Sequence, residues 1–197
     1  MSVAVYSLAT LTACWLLAAV FGLAVWHKLR AWPRFLAVLE AYRIVPAGLL
    51  VPAAALVVLA ELATVALLVL ATPAGAAAAA GLLGIYLVAM VVNMARGRRL
   101  IDCGCGDTPT PLPAYLLARN VALMALCAWP LFGPQRLLQL GPETTTLELT
   151  WGLSLCAAAM ASLGVLLYLS AEQLLANHGI YQRLWAAEGV GEGESWN

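Results

Sequence analysis

Long apolar runs are the feature that most constrains what this chain can fold into. The first run, residues 3–26, contains no charged side chain over 24 positions. A helix rises about 1.5 Å per residue, so about 20 apolar residues cross a hydrocarbon core about 30 Å thick. Spans of this kind are predicted at residues 3–26, 47–71, 73–95, 113–132 and 149–170. The sequence therefore predicts an all-α membrane protein, an antiparallel bundle of about five transmembrane helices.

The composition supports a membrane protein and excludes two other classes. Of the 197 residues, 63% are hydrophobic and 10% are charged, whereas about a quarter are charged in a soluble domain. Ten acidic and ten basic side chains cancel, and no basic block is present, so we expect the lipid bilayer and not nucleic acid as a partner. Five cysteines, three of them in apolar runs, do not form the disulfide framework of a small secreted domain.

Polar segments separate the spans. Residues 27–45 interleave charged and aromatic side chains, which predicts a short interfacial helix after the first span. The turn at Thr72–Pro73 is so short that the second and third spans must form an antiparallel hairpin. Residues 171–197 are predicted to be a juxtamembrane helix and a disordered tail, so the membrane domain is residues 1–170.

The basic residues predict the orientation of the bundle, because Lys and Arg concentrate in short cytoplasmic loops. With five spans, one side has only Arg136, and the other carries Lys28, Arg30, Arg34, Arg43, Arg96, Arg98, Arg99 and Arg183. We therefore expect a multi-pass inner-membrane protein with a periplasmic N-terminus and a cytoplasmic loop that contains Cys103 and Cys105.

Cys103-Gly104-Cys105 is the strongest chemical signal in the chain. Two thiols one residue apart can close a small disulfide ring, and glycine permits the backbone angles that such a turn needs. A strained disulfide is easily reduced, as catalytic disulfides are. Two other interpretations stay open, an unreactive pair and a metal site. The metal site is the weaker of these, since Zn²⁺ normally takes four ligands and His27 is the nearest imidazole.

Glu61 lies near the middle of the second span, where an ionisable side chain is costly enough to be a functional candidate. Arg119, early in the fourth span, is the opposite charge considered for it. The two side chains either pair or share one polar pocket, or else Arg119 extends to the headgroups and Glu61 is protonated. Both arrangements stay open.

The remaining cysteines and His178 carry weaker signals. The apolar runs contain Cys14, Cys127 and Cys156, which we expect to be small buried hydrophobes. The alternative is a second dithiol made of Cys127 and Cys156 on the outer side. His178 lies in a polar segment and is expected to be solvated.

The order of these residues resembles a known family. The matching elements are Lys28 after the first span, Tyr42 in the surface helix, Glu61, Arg96-Gly97 before Cys103 and Cys105, and Arg119-Asn120. Over about residues 10–130, the chain resembles the MauE family of methylamine utilisation membrane proteins, which are DoxX-like redox-associated membrane proteins.

The resemblance implies a function in enzyme maturation. Such a protein is required to mature the small (β) subunit of methylamine dehydrogenase, a periplasmic enzyme with many disulfides, and acts beside MauD, a thioredoxin-like periplasmic protein. The redox pair would be Cys103 and Cys105, which makes the protein a candidate thiol–disulfide oxidoreductase with no cofactor or metal. The residues that would shape the pocket are Lys28, Tyr42, Glu61 and Arg119.

Two questions stay open at this point. The partner and client are periplasmic, whereas the arginines place Cys103 and Cys105 on the cytoplasmic side. The function is a thiol–disulfide relay, a non-catalytic assembly or transport factor for the same enzyme, or a small-molecule or metal-binding protein built around Glu61 and Arg119.

Overall fold

The chain folds into a bundle of helices. The computed structural model describes residues 3–96, 114–132 and 147–191. Its helices are α1 (Val3–Arg30), α2 (Trp32–Tyr42), α3 (Leu50–Val69), α4 (Pro73–Ala95), α5 (Ala114–Phe132) and α6 (Leu147–Gly191), with a 3-10 turn at Ala47–Leu49. These described ranges contain no strand, so the chain is an all-α protein as predicted.

Several of these helices are long and apolar enough to cross a bilayer. They are Val5–Arg30, Ala47–Val69, Pro73–Ala95 and Trp151–Ala171. The shorter α5 has 19 residues, which corresponds to about 28 Å of helix. Large apolar side chains such as Leu56, Ile85 and Leu167 lie on the outer surface, where lipid replaces water as the solvent. The chain is a multi-pass membrane protein.

The α3–α4 hairpin is held by its turn. Thr72 caps α4 by accepting a hydrogen bond from the Gly75 backbone N–H at 3.2 Å, and its own hydroxyl donates to the Leu67 carbonyl at 2.9 Å. Pro73, which lacks an N–H, occupies the first turn of α4, where that group would have no partner in the helix. A side chain at Gly75 would lie 2.7 Å from the Leu68 backbone nitrogen, so glycine permits this close approach.

Helix α1 lies antiparallel to α3. The Trp15 indole N–H, in the first half of α1, donates to the carbonyl of Val69, the last residue of α3, at 3.3 Å. At the opposite end, Val25 packs in one cluster with Ala54 and Val58. Helix α1 also contacts α4, α5 and α6, so it is the central helix of the bundle.

Helices α5 and α6 complete the bundle. Helix α5 is antiparallel to α4, since Met124 lies near Gly84 and Asn120 contacts Met90. Helix α6 runs beside α1, where Leu16 fills the space next to Gly164. We call the end of the bundle where α4 ends and α5 begins the Arg96 end, and the end that contains the α3–α4 turn the Thr72 end.

Two helices extend well beyond the predicted spans. Helix α1 continues past Trp26 to Arg30, and α6 continues without a break from the predicted fifth span to Gly191. The predicted domain boundary at residue 170 therefore has no helix end to mark it. Residues 192–197, the last part of the predicted tail, lie outside the described residues.

Candidate functional site

A buried ion pair lies at the centre of the candidate site. The Lys28 Nζ atom is 2.6 Å from Glu61 Oε1, and the side chains are 3% and 0% exposed. Two isolated charges would be costly to place at this depth, so each needs the other as its counter-ion. On sequence grounds, Arg119 was the opposite charge considered for Glu61. In the structure, Glu61 pairs with Lys28 instead.

Helix geometry explains why Lys28 and Glu61 meet. Lys28 lies near the end of α1, one turn beyond Val25, whereas Glu61 lies near the middle of α3, one turn beyond Val58. Side chains tilt toward the N-terminus of their own helix. Because α1 and α3 are antiparallel, the two side chains lean toward each other and close the distance along the helix axes.

Aromatic side chains complete the surroundings of this pair. The Tyr86 hydroxyl, on α4, donates to Glu61 Oε1 at 2.5 Å, so this oxygen accepts two hydrogen bonds. Lys28 Nζ lies 5.6 Å from the ring centroids of both Phe35 and Tyr86, within the range of a cation–π interaction. We call Lys28, Glu61 and Tyr86 the ion-pair network.

The second oxygen of Glu61 faces a different environment. Glu61 Oε2 is buried and has no hydrogen-bond partner among the described residues. Glu61 lines a small cavity of about 40 Å³, which we call the polar pocket. The other polar side chains that line it are His27, Tyr86, Arg119, Asn120 and Tyr168. This volume has room for a water molecule.

Arg119 enters the polar pocket from α5. Its Nη1 donates to the Tyr168 hydroxyl of α6 at 3.1 Å, and its guanidinium carbon lies 5.9 Å from the Tyr168 ring centroid. Glu61 and Arg119 thus share one pocket, which is one of the two arrangements expected from the sequence. Next to Arg119, the buried Asn120 amide contacts the Met90 sulfur at 3.7 Å and joins α5 to α4.

A second cavity lies on the other side of the ion-pair network. Its volume is about 220 Å³, and we call it the apolar pocket. Its lining is mostly aliphatic and includes Lys28, Phe35, Tyr42, Ile44, Ile85, Tyr86, Ala89 and Met90. Lys28 lines this pocket, Glu61 lines the polar pocket and Tyr86 lines both. The network is therefore the wall between them.

The predicted redox pair cannot be placed in this geometry. Cys103 and Cys105 lie outside the described residues, between the end of α4 and the start of α5. The other cysteines are placed: Cys14 and Cys127 share the buried core cluster of the bundle, and Cys156 is exposed on α6. The expectation of a buried Cys156 is thus wrong, and the alternative dithiol of Cys127 and Cys156 would combine a buried thiol with an exposed one.

Of the predicted pocket residues, the structure brings Lys28 and Glu61 into contact, puts Arg119 in the polar pocket and Tyr42 in the apolar pocket. Sequence reasoning missed Tyr86 and Tyr168. The sequence did contain a signal for Tyr86. Glu61 and Tyr86 are separated from the Thr72–Pro73 turn by similar numbers of residues, so an antiparallel hairpin brings them to the same depth. No equivalent signal marked Tyr168.

No metal centre is formed by the part of the chain that the structure describes, where no group of three or more His, Cys, Asp or Glu side chains converges. The interactions of the site are hydrogen bonds, one ion pair and cation–π contacts. The site has the donors and acceptors to bind a ligand and to hold a proton.

Comparison with known proteins identifies the family. A model described as methylamine utilisation protein MauE matches residues 6–133, which is more than half of the 197 residues. The chain belongs to the MauE family. It is also 46% identical over 59 residues to methylamine utilization protein MauE of Paracoccus denitrificans. That match covers 29% of this chain and 31% of the relative's length. No solved structure matches the chain significantly.

Family membership and fold together define a multi-pass membrane protein of the methylamine utilisation system. The matched residues extend from the first turns of α1 to the end of α5. They include the ion-pair network, the lining of the apolar pocket and the segment that contains Cys103 and Cys105.

Proposed function

We propose that this MauE-family protein is an inner-membrane thiol–disulfide relay that serves the maturation of methylamine dehydrogenase. One observation carries the proposal. The family match over residues 6–133 takes in both the Cys103-Gly104-Cys105 segment and the buried network of Lys28, Glu61 and Tyr86. The chain thus combines a dithiol motif with a polar site inside a membrane bundle.

The chemistry is thiol–disulfide exchange. A thiolate of the pair attacks a disulfide sulfur of a thioredoxin-like partner, and a mixed disulfide forms as the partner's other sulfur leaves as a thiolate. The second thiol of the pair then resolves the mixed disulfide. In the complete exchange, Cys103 and Cys105 lose two electrons and two protons, and the partner's disulfide gains them. The reverse exchange delivers a disulfide to the partner.

The proposed partner is a MauD-type thioredoxin-like protein, and the proposed client is the small subunit of methylamine dehydrogenase. The helix ends that flank residues 97–113 lie at the Arg96 end. Met90, Asn93 and Asn120, which are buried polar or polarisable side chains, lie within two turns of these helix ends. Lys28, Tyr42, Glu61 and Arg119 support this site.

Cysteine substitution tests the proposal. Single changes Cys103→Ser and Cys105→Ser are made in the full chain, and cell extracts are quenched with acid and a thiol-blocking reagent. We expect one of the two variants to accumulate a mixed disulfide with a thioredoxin-like protein, visible as a reducible adduct on a non-reducing gel. The double variant is expected to lose methylamine dehydrogenase activity. Cys156→Ser is the matched control, because its thiol is exposed on α6.

Full methylamine dehydrogenase activity in cells that carry the C103S/C105S variant would overturn the relay. If that activity instead falls when the exposed surface of α2 next to Tyr42 is changed, as in Glu40→Arg, the protein is a non-catalytic assembly or transport factor. Glu40 is a suitable probe of that alternative because it is exposed on α2, whereas Tyr42 itself is 8% exposed and lines the apolar pocket.

A further inference from the structure

The apolar pocket has the size of a small ring compound. An apolar cavity of about 150 Å³ holds a benzene molecule, and this pocket has about 220 Å³ between α1, α2, α3 and α4. One six-membered ring with short substituents therefore fits. Phe35 and Tyr86 provide aromatic faces, and the rest of the lining is largely aliphatic.

The pocket is reached from the lipid. Ile44 and Ile85 line it and are 52% and 63% exposed, and Ile85 lies near the middle of α4. A membrane surrounds this part of the bundle, so these side chains lie at an opening toward acyl chains. A ligand that dissolves in the bilayer can enter here without first crossing water.

Lys28 gives the pocket one strong hydrogen-bond donor. An ammonium has three N–H groups, and Lys28 donates one to Glu61 Oε1. No other acceptor contacts Lys28 Nζ among the described residues, although the side chain is 3% exposed and lines the pocket. A ligand oxygen at this wall would satisfy a buried donor, which is favourable.

The charge of the ion pair selects between neutral and anionic ligands. Lys28 and Glu61 cancel each other, so an anion in the pocket would leave a net negative charge in a medium of low dielectric constant. A neutral acceptor avoids that cost. The fitting ligand is thus an uncharged ring that carries carbonyl oxygens and dissolves in lipid.

We propose that the apolar pocket binds a membrane quinone, with the ring beside Phe35 and Tyr86 and one carbonyl oxygen hydrogen-bonded to Lys28. The role of this quinone rests on the proposed function: it accepts the electrons of the cysteine pair. Two thiols, Cys103 and Cys105, form one S–S bond and release two electrons and two protons. The quinone takes up both and becomes the hydroquinol.

Binding is tested with the purified full chain in phosphatidylcholine nanodiscs. The probes are decylubiquinone and decylbenzene, which share a decyl tail but differ in the carbonyl, methoxy and methyl groups of the ring, and binding is measured by calorimetric titration. We expect the quinone to bind at least about tenfold more tightly than decylbenzene. Ala89→Leu places a larger side chain in the pocket and should weaken quinone binding by about tenfold or more. Ala77→Leu is the matched control, because Ala77 lies on the outer surface of the same helix, and this change should leave quinone binding unaltered.

The donor is tested by K28M/E61Q, which removes the ammonium and leaves no net charge behind. This variant should retain its helical circular dichroism and should bind the quinone with an affinity close to that of decylbenzene. Equal binding of both probes to the wild type would make the pocket a groove for lipid acyl chains and would overturn the proposal. Unchanged binding to the Ala89→Leu variant would overturn it as well.

A third measurement separates this proposal from the proposed function. The C103S/C105S variant should bind the quinone normally but should not convert it to hydroquinol, whereas the reduced wild type should do so. If the wild type binds the quinone and fails to reduce it, the electron-acceptor role is wrong and the site stands. If mixed disulfides form while the quinone does not bind, the quinone site is wrong and the relay stands.

Discussion

Lys28 and Glu61 are the residues on which the site depends energetically. Each is fully surrounded by protein, and Glu61 Oε1 takes hydrogen bonds from both Lys28 and Tyr86. A buried ion pair gains little over an apolar pair of similar volume, but removal of one partner leaves an uncompensated charge. Substitution of one partner is therefore expected to destabilise the protein strongly, whereas substitution of both should destabilise it little.

We expect Glu61→Gln and Lys28→Met each to destabilise the protein by about 3–5 kcal/mol. The double variant K28M/E61Q should recover most of that loss, because no charge remains buried. Thermal unfolding in detergent, followed by circular dichroism, measures the effect. Glu40→Gln is the matched control, since Glu40 is exposed on α2. A wild-type melting temperature in either single variant would contradict this account.

Sequence reasoning found the charged residues of the site but not their pairing. Arg119 was considered as the partner of Glu61 because the two residues lie in the same half of the bundle. A sequence indicates how deep a residue lies in the membrane, but it does not indicate which helices are neighbours, because that depends on tertiary packing. The packing of α1 along α3 places Lys28 beside Glu61, whereas Arg119 approaches from α5 and bonds Tyr168.

At the scale of elements, the α3–α4 hairpin was the best-predicted part. The predicted third span, 73–95, coincides with α4, because Thr72 and Pro73 set its start by local chemistry. Helices α1 and α6 continue beyond the predicted membrane spans, although the apolar part of α6, Trp151–Ala171, agrees with the predicted fifth span. Charged residues at 27–30 suggested the end of a span, but charges do not break a helix. The chain contains no proline between residues 143 and 197, so nothing local stops α6 at the predicted membrane boundary.

The close approach of α3 and α4 makes Gly75 sensitive to substitution. Gly75→Ala would place a methyl group 2.7 Å from the α3 backbone at Leu68, and backbone cannot yield as a flexible side chain can. We expect a loss of about 1–3 kcal/mol in the free energy of unfolding, as for an overpacked core. Gly81→Ala, on the same helix, meets no atom within 4 Å and should not lose stability. Chemical denaturation in mixed micelles compares the two, and equal curves would refute the close packing.

For the whole molecule, the bundle divides its interior into two pockets of different character. The polar pocket lies toward α5 and α6, and the apolar pocket lies toward α2 and the lipid. The ion-pair network separates them, so a group in one pocket is one hydrogen bond away from a group in the other. The sequence predicted the residues of this site from a family resemblance, but the existence of two pockets depends on packing.

The orientation of the bundle is a testable property of the whole molecule. The basic residues predict that the Arg96 end is cytoplasmic. A membrane-impermeant maleimide should therefore label Cys103 and Cys105 in inverted vesicles and not in spheroplasts, when the variant Cys156→Ser is used to remove the exposed thiol of α6. A second variant carries Ala74→Cys at the Thr72 end, with Cys103, Cys105 and Cys156 replaced by Ser. Its new thiol should be labelled in spheroplasts and not in inverted vesicles. Labelling of Cys103 and Cys105 in spheroplasts would place the pair on the periplasmic side, with the proposed client and partner.

The separation of Lys28 and Glu61 in the chain has a consequence for biogenesis. Helix α1 leaves the ribosome before α3, and its lysine lies near the helix end, where a long side chain can reach the headgroups before α3 has entered the bilayer. The carboxylate of α3 emerges 33 residues later at mid-depth, where it has no such exit. By then the Lys28 ammonium of α1 is already in the membrane and can pair with the Glu61 carboxylate. The chain thus supplies the counter-ion before the charge that needs it, and α3 can be inserted without an unpaired carboxylate in the hydrocarbon core.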